Sequence, residues 1–382
     1  MIVALVIFWS MVGLLALTYV GYPLLLALAV LVRGKPKPQD PEQWPRISAL
    51  VVAYNEGERI AEKITNILEC DYPSDRIEVI VCSDGSTDDT NRIVEAYDDP
   101  RVHLAASPTN VGVNEAFAVG AKVATGDVFL MTDSGAVFQN DAIRKAARHF
   151  ADPKVGIVSG RIIFENPNKT AIGGGYRSYW VIETTVRRLE SHLGLGVVIV
   201  GAFEMIRREA YLPVPSEYAN DITAPMYTHL LGYRCRYEPE ALQFTPQNKT
   251  AGQDFGRRTR MSVRAWSNLP YLARVVPPWK DPIPWAAMLI HKFFRYITWA
   301  FLVPLLVANA FLLDEHFLYR VTFWAQVAGY AMALVGMVPA LLKKSLPPFS
   351  MAFYFCLLQG AAMVGFFKAL FGHRIRTWKP VD

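Results

Sequence analysis

The chain is short of the residues that most often announce chemistry. Its 382 residues include four cysteines, Cys70, Cys82, Cys235 and Cys356, scattered without the spacing of a zinc site or a disulfide framework. They are read as packing thiols kept reduced in a cytoplasmic setting. No Walker-type phosphate loop occurs, and no G-x-G-x-x-G follows the first strand pattern, so any phosphate must be held in another way. The lone glycine cluster "IGGGY" at 172–176 is read as a flexible loop. Charge is missing altogether from residues 2–32, and about 20 apolar residues suffice to cross a bilayer as a helix. The run outlasts the core of a secretory signal, lacks its cationic start and shows no cleavage site, so residues 1–32 are read as a transmembrane helix.

What is present divides the remainder. Three more apolar runs, 288–313, 321–342 and 350–371, are each long enough to span, within a C-terminal region 288–372. Arg33, Lys35 and Lys37 follow the first run and nothing charged precedes it, which places the middle of the chain in the cytoplasm. Lys343 and Lys344 agree with that orientation. The basic tail 373–382 does not, because four spans would leave it outside: either one run fails to span or the rule fails locally. The net charge of +5 suits a surface against anionic lipid and equally a pocket for a phosphorylated substrate.

Between a linker at 33–45 and interfacial amphipathic helices at 251–287, residues 46–250 alternate short β-type runs with helix-period runs. "ISALVVAYNE", "IEVIVCSDGS", "VHLAAS" and "DVFLMTD" read as strands. "ERIAEKITNIL" puts Ile60, Ile64, Ile67 and Leu68 on one helix face, Ser86 or Thr87 is the expected cap of the next helix, and 112–124 is a third. Such alternation predicts parallel βαβ units, with ligands outside the carboxyl ends of the strands. Tyr54, Asn55 and Glu56, then Asp84, Gly85 and Ser86, then Asp133 fall at those ends. Three acids on one edge repel unless a ribose, a base N–H or a divalent metal joins them. Downstream, "GRRTRMSVR" reads as a cationic face on a membrane-surface helix, and Asp221 as the N-cap of "ITAPMYTHLLG". Tyr176, Tyr179 and Trp180 are either a sugar-stacking surface or core.

The ordered strings "VVAYNEGERI", "VCSDGSTDDT", "NVGVNEAFAVGAKVATGD", "MTDSGA", "VGIVSGRIIF", "VGAFEMIRRE", "NDITAPMYTHLLGYRCRYEPEA" and "RRTRM" resemble the inverting family-two glycosyltransferases of the type-A nucleotide-sugar fold over about 46–264. Within them the chain looks most like the membrane-embedded branch related to poly-N-acetylglucosamine, chitooligosaccharide and hyaluronan synthases. The resemblance implies an α/β catalytic domain with a mostly parallel Rossmann-like sheet at 46–250, in the cytoplasm, flanked by one N-terminal and about three C-terminal spans. It implies that Ala53, Tyr54, Glu56, Asp84, Asp133 and Ser134 line the nucleotide-sugar site, with Asp84 meeting the base. Asp133 begins the Asp-X-Asp element that faces Mg²⁺ or Mn²⁺, Asp221 is the catalytic base, and Arg257 and Arg260 neutralise the leaving diphosphate. Gly201 and Ala202 fall where the acceptor meets the donor, and Gly201 there allows close backbone approach.

Three positions depart from the pattern: Val113 replaces a frequent lysine, Gly135 the second acid and Met261 a tryptophan whose place Trp266 could take. Together they weigh against processive elongation; modest length and Met261 favour a single transfer, while the spans after "RRTRM" leave secretion of a polymer open, and the implied donor is a UDP-sugar. The implied partners are a nucleotide-sugar donor, a lipid or glycan acceptor, the lipid bilayer and accessory export or assembly proteins, with no nucleic acid. The implied location is a bacterial inner membrane. A silent nucleotide-sugar sensor or assembly subunit is the alternative, which Val113 and Gly135 favour and Asp221 opposes.

Overall fold

The computed structural model describes residues 1–36, 38–164, 173–245, 250–341, 346 and 348–375. The four strand patterns form β1 (Ile47–Ala53), β2 (Ile77–Asp84), β3 (Val102–Ser107) and β4 (Val128–Asp133). They join β5 (Val137–Phe138), β6 (Val155–Phe164), β7 (Glu204–Arg207) and β8 (Arg234–Thr245) in a sheet of order β3-β2-β1-β4-β7-β6-β8-β5. The β3-β2-β1-β4 half is parallel. The rest is mixed: β6 runs parallel to β8, while β7 runs antiparallel to β4 and β6, and β5 antiparallel to β8, so three short antiparallel pairings interrupt the mostly parallel sheet expected. Glu204, the first residue of β7, lies opposite Met131 near the carboxyl end of β4. A strand entered from that edge has to run backwards.

Every residue of β1 is buried, as expected of a strand covered on both faces. Ile60, Ile64 and Ile67 of helix Ile60–Leu68 cover one face with Val51 and Val79. Ala116 and Phe117 of helix Val113–Val123 cover the other with Leu50 and Ile80. The helix after β2 starts at Thr90, not near Ser86. Ser86 and Thr87 bond Asn55 instead, and Asp88 accepts from the Thr90 N–H at 3.0 Å. The glycines expected in a loop open the helix Gly173–Leu193.

Among the described residues three helices are long and apolar enough to cross a membrane: Ile2–Arg33, Phe317–Val338 and Phe349–Leu370. The first contains a π-turn at Leu17–Gly21. Many of their apolar side chains, among them Val6, Leu24, Leu31, Trp324 and Leu334, face outward, as a lipid solvent requires and water does not favour. The span expected at 288–313 falls on a bent pair, Pro282–Tyr296 and Thr298–Ala310, that meet at 62°. Its first limb carries a π-turn at Leu289–Phe293, so the helical ladder is already irregular before Ile297 leaves it. Helix Ala251–Val275 begins at a capping box, where Thr250 Oγ1 accepts from the Gln253 N–H and Gln253 Oε1 from the Thr250 N–H, both at 3.2 Å. It packs against Phe349–Leu370, where Ser262 donates to the Ala362 carbonyl at 2.9 Å. Lys37, Lys343, Lys344 and the tail from 376 lie outside the described residues, as do the side chains of Tyr176 and Tyr179.

Candidate active site

The parallel strand order reverses between β1 and β4, the crevice in which open α/β sheets bind ligands. Ala53 closes β1 and is buried, and Tyr54 is half-buried. Glu56 bonds the Ser134 hydroxyl, while burial pushes its carboxyl above the usual range against the pull of Ser134 and Arg59. Asp84 accepts from the N–H groups of Val111 at 2.6 Å and Gly112 at 3.1 Å, so it braces the 111–112 turn. Burial raises its carboxyl even so. Gly85 follows at φ +72°, and a Cβ there would strike the Thr109–Asn110 backbone, so glycine is required.

Asp133 opens onto a cavity of about 560 Å³. Desolvation by the surrounding protein pushes its carboxyl up, while Lys63 and Arg257 pull it down. Lys63 is buried beneath the turn: it donates to Thr132 Oγ1 at 3.2 Å and to the Ala136 carbonyl, and lies 4.0 Å from the Phe138 ring centroid. Burial lowers its pKa to about 7, with Asp133 opposing. A Cβ at Gly135 would meet nothing within 4 Å. Among the described residues no three His, Cys, Asp or Glu side chains gather as a metal site. The donor set fits an ion carried by a diphosphate and touched by one carboxylate, not a protein cage.

The cavity continues past Gly201 and Ala202 to Asp221. A Cβ at Gly201 would meet nothing within 4 Å, so open space lies beside that glycine. Asp221 sits inside the first turn of helix Asn220–Leu230, with Ala219 as the N-cap, which corrects the capping expectation. Its Oδ2 accepts from Lys292 Nζ at 2.7 Å. Behind it Asn220 Nδ2 donates to Glu204 Oε2 at 2.7 Å, and burial lifts the Glu204 carboxyl to about 8.

Arg257 lines the cavity and Arg260 does not: Arg260 is exposed, and Arg258, Met261 and Arg264 share the face of Arg257. Arg257, Arg258, Met261, Ser262 and Arg264 of this helix line the cavity. Trp266 is also outside the cavity, packed edge-on against Phe293 at 4.9 Å and Phe366 at 5.0 Å. Trp180 lines it, with Phe164 at 5.5 Å.

Reading the sequence missed Lys63, Lys292, Arg295 and Glu183. Glu183 holds Arg187 Nε at 2.8 Å, Arg295 Nη1 at 2.6 Å and His291 Nε2 at 3.3 Å. Burial opposes its charge, yet His291, Arg187 and Arg295 hold its carboxyl well below the usual range. A signal for half of this set was present: "HKFFR" sits inside an apolar run, and ionisable residues there mark function by default.

The curled, half-parallel sheet with its acidic strand ends defines a type-A-like glycosyltransferase fold. It superposes on the mannosyltransferase PcManGT from Pyrobaculum calidifontis, solved with GDP-Man and Mn2+, with a TM-score of 0.69 over 95% of this chain and 99% of that one, at 24% identity. Residues 48–212 match the family model described as glycosyl transferase family 2. Over residues 48–212 the chain is thus similar to family-2 glycosyltransferases. Curated relatives include an N-acetylglucosaminyltransferase of Rhizobium sp., 24% identical over 61% of this chain and 56% of its own length. A poly-beta-1,6-N-acetyl-D-glucosamine synthase of Staphylococcus epidermidis is 28% identical over 72% of this chain and 69% of its own. The chain thus spans only part of the relatives it matches.

Proposed function

We propose that this protein is a multi-pass membrane enzyme that transfers a sugar, with inversion, from a nucleotide-diphospho-sugar to a lipid or glycan acceptor at the cytoplasmic face of a bacterial inner membrane. The observation that carries the reading is a single cavity with Asp133, Asp221 and Arg257 on one side and side chains of an apolar helix on the other. The relatives' names favour an N-acetylglucosamine donor, and UDP is its proposed carrier.

Asp221 is the proposed base, because a sugar or lipid hydroxyl is a poor nucleophile until its proton is accepted as the C–O bond forms. Lys292 fixes one carboxylate oxygen, and the other takes that proton while the anomeric carbon releases the diphosphate. Arg257 offers its guanidinium to the leaving group. Asp133 would supply the one protein carboxylate for Mg²⁺ or Mn²⁺, which would neutralise diphosphate charge. Glu56, Asp84 and Ser134 form the nucleoside end. The domain reading stands with it: a catalytic unit at 46–250, interfacial helices at 251–287 and spans beyond.

The test is UDP release by the protein in lipid with a panel of UDP-sugars and either metal. Asp221→Asn is expected to lose at least 100-fold in rate and to keep UDP binding. Equal background for wild type and variant, with UDP still bound, would replace the enzyme by a silent nucleotide-sugar sensor.

A further inference from the structure

A second pocket, of about 230 Å³, shares no lining residue with the large cavity. Arg33 and Lys35 form one side of it, where the first apolar helix Ile2–Arg33 ends. His192 lies in the last turn of helix Gly173–Leu193, and Arg234 and Arg236 come from β8. Three separate segments thus bring four permanent cations and a histidine to one hollow, and no carboxylate lines it.

The cations work against one another. Arg236 is only 8% exposed, and among the described residues its one hydrogen bond runs from Nη1 to the Ser191 carbonyl. Burial lowers its pKa, and Arg234 and Arg33 push the same way while Asp152 opposes them. Burial, then Lys35, Arg236 and Arg188, does the same to His192. Asp152 lies 3.6 Å from Arg234 Nη1, but that pair is well solvated, with side chains 40% and 37% exposed, and such a pair contributes little.

Two helices end beside the pocket, and the carbonyl end of a helix attracts cations. That accounts for Arg33 and for the bond from Arg236 to Ser191. Arg234 and Lys35 have no such role, and like charges around a hollow repel unless an anion joins them. A phosphate suits the set, because its several acceptor oxygens can meet guanidinium forks and an ammonium together. Anionic headgroups gather at the end of a spanning helix, and soluble phosphates reach the same level from the water.

We propose that Arg33, Lys35, Arg234 and Arg236 form a phosphate-binding site, apart from the proposed active site, that ties the end of the first helix to β8. The phosphate is that of an anionic phospholipid headgroup or of a soluble phosphate, one chemistry from two sources. The site stands whether or not sugar is transferred.

The test uses the full chain in phosphatidylcholine nanodiscs, with two arms. In one, phosphatidylglycerol is added and the lipid retained by the protein is counted by native mass spectrometry; in the other, inorganic phosphate is titrated by calorimetry. Binding in the first arm alone identifies the headgroup as the source, and binding in the second identifies a soluble one. The double variant Lys35→Gln, Arg234→Gln is expected to bind at least fivefold more weakly in the arm that responds. The control Arg92→Gln, Lys122→Gln, which removes the same charge from exposed positions outside the pocket, should bind as wild type does. Should the double variant melt early, Lys35→Gln alone, placed after the helix, must still weaken binding. No binding in either arm, or equal loss in pocket and control variants, as surface charge alone would give, would overturn the proposal.

Discussion

Gly135 stands where an Asp-X-Asp element would place its second carboxylate, and the space beside it is open. The pocket is thus short of an acid by sequence, not by crowding. Wild type is expected to bind Mn²⁺ weakly without nucleotide, because one carboxylate leaves most of the coordination shell to water and diphosphate. Gly135→Asp should strengthen nucleotide-free Mn²⁺ binding at least tenfold, read by calorimetry, with folding stability changed by no more than about 0.5 kcal/mol, as for an exposed substitution. Tight Mn²⁺ binding by wild type alone would contradict the single-carboxylate reading. At this scale Asp133, Asp221 and Arg257 could be picked from the sequence because each stands at a strand end or inside a recognisable string. Lys63 and Lys292 could not. Their partners Thr132 and Asp221 lie 69 and 71 positions away, a distance no local pattern encodes. Arg260 and Trp266 do not line the cavity, and the motif from which they were read carries no information on which side of the helix faces it.

Between elements, the crossing of Ala251–Val275 with Phe349–Leu370 sets the width of the cavity. A Cβ at Gly365 would collide with Ser262 and the Thr259 carbonyl, so the two helices meet at a residue with no side chain. Small residues at such crossings let helices packed in lipid approach closely. Gly365→Val should therefore push the helices apart, cost about 1–3 kcal/mol by overpacking, and reduce UDP release more than UDP binding. Thermal melting and the two assays, run on one preparation, check this. A variant with wild-type melting and turnover would show that the crossing does not shape the site. The four parallel-half strands were legible from alternating runs, as was the apolar face of Ile60–Leu68. The backward β7 was not, because its direction depends on which edge the chain re-enters. The bend at Ile297 was hidden as well: an apolar run has the same composition whether the helix through it is straight or broken.

For the molecule as a whole, orientation is the open variable. The basic residues after the first span predict a cytoplasmic sheet domain, and one label tests it. Cys70, Cys82 and Cys235 are buried, while Asp98 lies exposed in the loop before β3. Asp98→Cys should react with a membrane-impermeant maleimide in inverted vesicles and not in intact cells. The reverse pattern would put the site outside, away from cytoplasmic nucleotide-sugars. Class and topology of the catalytic unit were readable because motif order survives low identity. The joint cavity was not, because half its wall comes from segments whose composition says only that they prefer lipid.

Lys292 reaches Asp221 from the first limb of the bent pair, so the proposed base and the apolar helices are one object. A truncated soluble domain would lose both the partner of Asp221 and the far wall, and would be half a vessel. Detergent is then not a neutral solvent for this protein: an amphiphile that enters beside Met351 and Phe355, which line the cavity from helix Phe349–Leu370, occupies the working volume itself. Activity in purified samples should track the choice of surfactant as closely as it tracks any substitution.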